Sequence, residues 1–168
     1  MKVRSVVLCA VFAAMNALCA WISIPLGALS VTMQTFGVGL TLCLLGGKRG
    51  SITVFVYLLL GIVGLPVFSG FRGGLGVLLG ASGGYILGFA LFALIYWLLT
   101  ALWHKLQIPA LALGMAACYG FGTGWFCAVY APGSFGEAFV TCVLPFLVPD
   151  AVKLILAVLL SRRLRRFV

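Results

Sequence analysis

Residues 138–161 read AFVTCVLPFLVPDAVKLILAVLLS, and the only charges in the run are Asp150 and Lys153. About 20 apolar residues cross a bilayer as a helix, so the stretch has the length and composition of a membrane span. A charge near a bilayer centre costs about 2.5–3.5 kcal/mol and marks a functional site by default. Residues three apart share one helical face, so Asp150 and Lys153 are expected to meet. Their pairing has two readings that the residues leave open: a ligand site, or an ion pair that only neutralises itself. Pro145 and Pro149 each remove a backbone donor and are expected to interrupt the helix. Asp150 would then begin a fresh helical stretch, where the positive helix end favours a carboxylate.

The rest of the chain agrees with that setting. Of 168 residues, 64% are hydrophobic and 8% charged, against about 25% charged in an ordinary soluble domain. The formal net charge of +9 would suggest nucleic acid in a soluble protein. Here the basic residues sit in short clusters between apolar runs, as positive-inside topology requires. No basic patch interleaves with aromatics, so a nucleic-acid partner is not expected.

Six apolar runs follow one another, at about 6–24, 32–46, 51–65, 83–102, 109–130 and 138–161, with a turn containing Pro25, Gly27 and Ser30 after the first and Ala131 to Ser134 closing the fifth. The basic clusters are Lys2 with Arg4, Lys48 with Arg49, His104 with Lys105, and Arg162, Arg163, Arg165 and Arg166. Six alternating helices put every cluster on one side and both termini in the cytoplasm. Trp21, Trp125 and Tyr130 then fall near the outer interface and Trp103 near the inner one. The expected fold is an all-α integral membrane protein, a single domain over residues 1–168 with six transmembrane helices in one bundle. A cleaved signal peptide is the rival reading of residues 1–20. The apolar run is long for that, and the alternation needs the segment.

Signatures of catalysis are mostly absent, so no enzyme and no cofactor are expected. The six cysteines, at 9, 19, 43, 118, 127 and 142, show no C-x-x-C spacing, and there is one histidine; no metal site is expected. Gly46-Gly47-Lys48-Arg49 is not a phosphate-binding loop. Uphill movement of a substrate would draw its energy from another protein.

Polar groups remain on the expected outer half. Arg72 lies in FSGFRGGLG, residues 68–76, against the positive-inside trend. Its neighbouring glycines allow close backbone approach to a ligand. A second glycine group, Gly80 to Gly84 with Tyr85 after it, opens the fourth run, and Thr32 and Gln34 start the second. Ala10, Ala13, Ala14 and Ala17 form two overlapping small-x-x-x-small pairs, which permit close helix approach within the chain or to a partner.

Several stretches together resemble the BioY family, the biotin-specific substrate-binding components of energy-coupling-factor transporters. They are VTMQTF at 31–36, LLG at 44–46 with Arg49-Gly50, GLPVF at 64–68 with Gly73-Gly74, GGY at 83–85, and PDAVK at 149–153. The resemblance spans essentially the whole chain. Where the family usually has Pro, this chain has Gly47; where it has Pro-Thr, Ala81-Ser82; where it has Pro-Gly-Asp, Val148-Pro149-Asp150. The last exchange removes a glycine's access to positive φ but neither charged side chain.

The resemblance implies biotin capture from the outer face of a prokaryotic cell membrane. Asp150 would accept from a ureido N–H and Lys153 would donate to the ureido carbonyl. Arg72, Gln34 or backbone N–H groups at Gly73 and Gly84 would hold the carboxylate. Phe68 and Tyr85 would pack the fused rings. The reverse polarity, with Lys153 on the carboxylate, stays open. Partners implied are an energy-coupling transmembrane subunit with its ATPases, docked on the alanine face of the first helix. Remaining alternatives are a component for another vitamin, an intramembrane enzyme, or a channel subunit. A cationic vitamin would sit poorly beside Lys153 and Arg72.

Overall fold

The computed structural model describes residues 3–26, 29–103, 106–130 and 132–166. Lys2, Gly27, His104, Lys105 and Ala131 lie outside the described residues. The described chain is mostly helical, with five helices long and apolar enough to cross a membrane. They are α1 (Val3–Trp21), α2 (Gln34–Val63), α4 (Gly83–Leu102), α5 (Gln107–Trp125, continued by a π-helical turn over Phe126–Tyr130) and α7 (Leu144–Leu164). Between them stand strands β1 (Ser23–Leu26) and β2 (Leu29–Thr32), the single turn α3 (Leu75–Leu78) and the short α6 (Phe135–Cys142).

α2 covers both the second and the third expected runs. Straight, its 30 residues would reach about 45 Å, well beyond the ~30 Å hydrocarbon core. It is not straight. Gly46 has φ 77° and ψ 172°, a left-handed backbone that glycine adopts without a Cβ clash. There the chain doubles back. A methyl carbon built on Gly50 would lie 2.9 Å from Leu42 Cα, whereas eight residues of continuous helix would separate them by about 12 Å.

Three local expectations need correction. Helix α1 ends at Trp21, not near residue 24, because Ser23–Leu26 pairs antiparallel with Leu29–Thr32 in a hairpin. The expected last helix divides at Val143 (φ −118°) rather than at its prolines. Pro145 occupies the first turn of α7, where no donor is needed, and Pro149 is carried inside the helix. Asp150 therefore sits within α7, six residues past its start, and not at a positive helix end.

α2 is the central element, packed against α1, α4 and α7, while α5 packs along α4. The core runs through Val38, Leu42, Tyr57, Phe68, Phe92 and Tyr96. Lipid cannot drive helices together hydrophobically, so packing and buried polar ties hold such a bundle. Asn16 on α1, wholly buried, donates to Thr41 on α2 at 3.2 Å. Ser51 on α2 donates to the Ala93 carbonyl on α4 at 2.7 Å. Arg165 at the end of α7 donates to the Cys43 carbonyl at 3.2 Å and to Gln107 Oε1 at 2.9 Å. These contacts gather the ends of three helices at one level, away from the hairpin.

Candidate functional site

A cavity of about 90 Å3 lies beneath the β1–β2 hairpin, walled by α2, α4, α5 and α7. Its polar wall includes Gln34, Arg72, Tyr85, Tyr119 and Asp150. The apolar wall includes Ile86, Phe89, Met115 and Phe146. Leu29 of β2 packs with Phe126, Ala138, Cys142 and Phe146, so the hairpin, the π-helical turn and α6 form one cap over it.

Asp150 and Lys153 meet as their spacing requires. Lys153 Nζ donates to Asp150 Oδ1 at 2.9 Å, and both side chains are at most a tenth exposed. Lys153 also donates to the Thr32 carbonyl at 2.8 Å, tying α7 to the end of β2. Tyr119 on α5 donates to Asp150 Oδ2 at 2.7 Å. Each carboxylate oxygen has two lone-pair directions, so one bond apiece leaves Asp150 able to accept again. Asp150 is on the cavity wall and Lys153 is behind it.

Gln34 is oriented by a relay. Tyr57 donates its hydrogen to the Val67 carbonyl at 3.0 Å, so its oxygen accepts from Gln34 Nε2 at 2.6 Å. The Gln34 amide oxygen is left to a ligand donor. Arg72 stands on the tight turn 68–72, closed by the Phe68 N–H to the Arg72 carbonyl at 3.0 Å. Gly70 and Phe71 both have positive φ there. Arg72 Nε donates to the Ser69 carbonyl at 3.2 Å, which leaves the terminal guanidinium nitrogens for an anion. Phe71 stacks on Trp21 at 4.7 Å, and Trp21 Nε1 donates to the Pro66 carbonyl at 2.8 Å. The arginine loop is thus fixed to α1.

Not every expected residue reaches the cavity. Phe68 is fully buried edge-on against Tyr57 and fills the space over Gly61. Gly73 abuts the Leu65 carbonyl and Gly84 abuts Trp125; neither lines the wall. Tyr85 does, with its hydroxyl 3.1 Å from Thr123 Oγ1. Tyr119, Phe89, Met115 and Phe146 escaped the sequence reading. Tyr119 is one polar tip in a mostly apolar helix, and only the α5–α7 juxtaposition reveals its partner. On α1, Ala13 and Ala17 are buried inside the bundle, while Ala10 and Ala14 face outward.

Known proteins share this architecture. The BioY family model matches residues 1–168. The chain is 37% identical over 165 residues to the probable biotin transporter BioY of Pyrococcus horikoshii, covering 98% of each. It is 36% identical over 168 residues to the biotin transporter BioY of Thermotoga maritima, covering 97% of this chain and 96% of that one. The crystal structure of the S-component for biotin from an ECF-type ABC transporter superposes with a TM-score of 0.86 at 29% identity, over 98% of this chain and 92% of that one. By sequence along its whole length and by fold, the chain belongs to the BioY family.

Proposed function

We propose that this protein captures biotin at the outer face of a prokaryotic membrane and delivers it inward with an energy-coupling partner. The observation that carries the reading is one cavity with a buried, ligand-facing carboxylate at one wall and a free-ended guanidinium at another. Biotin offers the matching chemistry: a ureido ring with two N–H donors and a carbonyl, an apolar thioether ring, and a carboxylate tail. Asp150 accepts from a ureido N–H, and Lys153 holds its carboxylate in place from behind. Gln34 Oε1 takes the second N–H. Tyr85, Phe89 and Phe146 pack the rings, and Arg72 binds the carboxylate. Biotin is here the transported ligand, not a resident cofactor.

The reversal at Gly46 supports counting the two limbs of α2 as separate spans. With α1, α4, α5 and α7 they make six. Both termini are then cytoplasmic, and the hairpin, Arg72 and α6 are outside. The outward Ala10–Ala14 face of α1 presents a small-residue surface to an energy-coupling transmembrane subunit, itself joined to ATPases. Calorimetric titration of the purified protein with biotin, thiamine and riboflavin tests the substrate. Biotin alone is expected to bind tightly; a preference for either other vitamin would overturn the reading.

A further inference from the structure

A groove of about 840 Å3 opens on the flank of the molecule between α5 and α7 and runs on past Asp150 to Leu147, Val143 and, on α6, Phe139 and Phe135. Two polar clasps join these helices, Tyr119 to Asp150 at one level and Arg165 to Gln107 at the other. At 1.5 Å per residue, the clasps are about 22 Å apart along α7. Between them the walls are Ala112 and Ala116 on α5 and Ala151, Ile155 and Leu159 on α7, with Arg162 at one end. Arg165 and Arg166 each have hydrogen-bond partners, whereas Arg162 has none among the described residues.

We propose that this groove holds one acyl chain of an anionic membrane phospholipid, whose phosphate is bound by Arg162. Two observations argue for that occupant. The small alanine side chains leave a trough rather than a packed seam, and its lining is almost entirely apolar. The unpartnered guanidinium stands in the last turn of α7, where a spanning helix meets headgroups, and basic residues between transmembrane helices attract anionic headgroups.

Such a chain lies against Met115, Tyr119 and Asp150, which line the groove and the cavity alike. The lipid thereby closes the wall behind the carboxylate and keeps water from it. Native mass spectrometry of the purified protein, mixed with phosphatidylglycerol or phosphatidylcholine, tests the proposal. The wild type should retain one phosphatidylglycerol, about fivefold more than phosphatidylcholine. Arg162→Glu should abolish that preference, and Ala116→Trp, which fills the trough, should abolish retention of both. Thermal unfolding of each variant checks that it is folded. Equal retention by the wild type and both variants would overturn the proposal. So would a dimer of the wild type that Ala116→Trp dissociates, since the occupant would then be a second copy.

Discussion

Tyr119 reaches from α5 to α7 and donates its phenolic hydrogen to Asp150 at 2.7 Å. Lys153 already holds the other carboxylate oxygen, so the two donors together fix the plane of the carboxylate at the cavity wall. A hydrogen bond to a charged group contributes about 1.5–3 kcal/mol. Tyr119→Phe keeps the ring and removes the hydrogen. Biotin binding by this variant should weaken about 10–100-fold, measured by titration. Wild-type affinity would show that Lys153 alone orients Asp150.

The ion pair and the ligand site can be separated by stability. Removing one partner of a buried pair costs about 3–5 kcal/mol, because it strands the other charge, whereas replacing both can be nearly neutral. Thermal unfolding of Asp150→Asn, Lys153→Met and the double variant should therefore show two destabilised proteins and a partly recovered third. Biotin binding should be lost in all three. A double variant that recovers binding along with stability would make the pair purely structural.

Arg72 is assigned to the tail of the ligand. Arg72→Ala should weaken biotin by tens-fold, in line with about 2–5 kcal/mol for a truncated charged partner. It should leave the affinity for biotin amide, which lacks the carboxylate, close to that of the wild type. Equal losses for both ligands would move Arg72 off the carboxylate.

The outward alanines of α1 make a separate prediction. Ala14→Trp adds bulk to the exposed face without touching the cavity. Co-purification with the energy-coupling subunit should fail while biotin binding stays intact. Assembly that survives the substitution would place the dock elsewhere.

Much of this was legible in the sequence, for identifiable reasons. Apolar length located every long helix, and the i, i+3 spacing brought Asp150 and Lys153 together, because both follow from helix geometry alone. In the sequence Gly46 only ends an apolar run; the structure makes it the point of reversal. Pro25, Gly27 and Ser30 signal a turn, but the paired strands β1 and β2 were not legible, since Ile22 to Leu26 continues the apolar run of α1. The prolines misled in the opposite direction. Pro145 falls where α7 needs no donor, and Pro149 is accommodated within it. Phe68 looked like a ring-packing residue but fills the core over Gly61. Tyr119 and Phe146 were invisible because their role depends on contacts between elements that no local pattern encodes.

The central claim is that the Asp150–Lys153 pair binds biotin. Its most direct test is calorimetric titration of biotin into purified wild type, Asp150→Asn and Lys153→Met, each first shown to be folded. Each substitution should reduce affinity by tens- to thousands-fold, matching about 2–5 kcal/mol for a buried charged hydrogen-bond partner. Wild-type affinity in both variants would contradict the account and leave the pair a structural bridge.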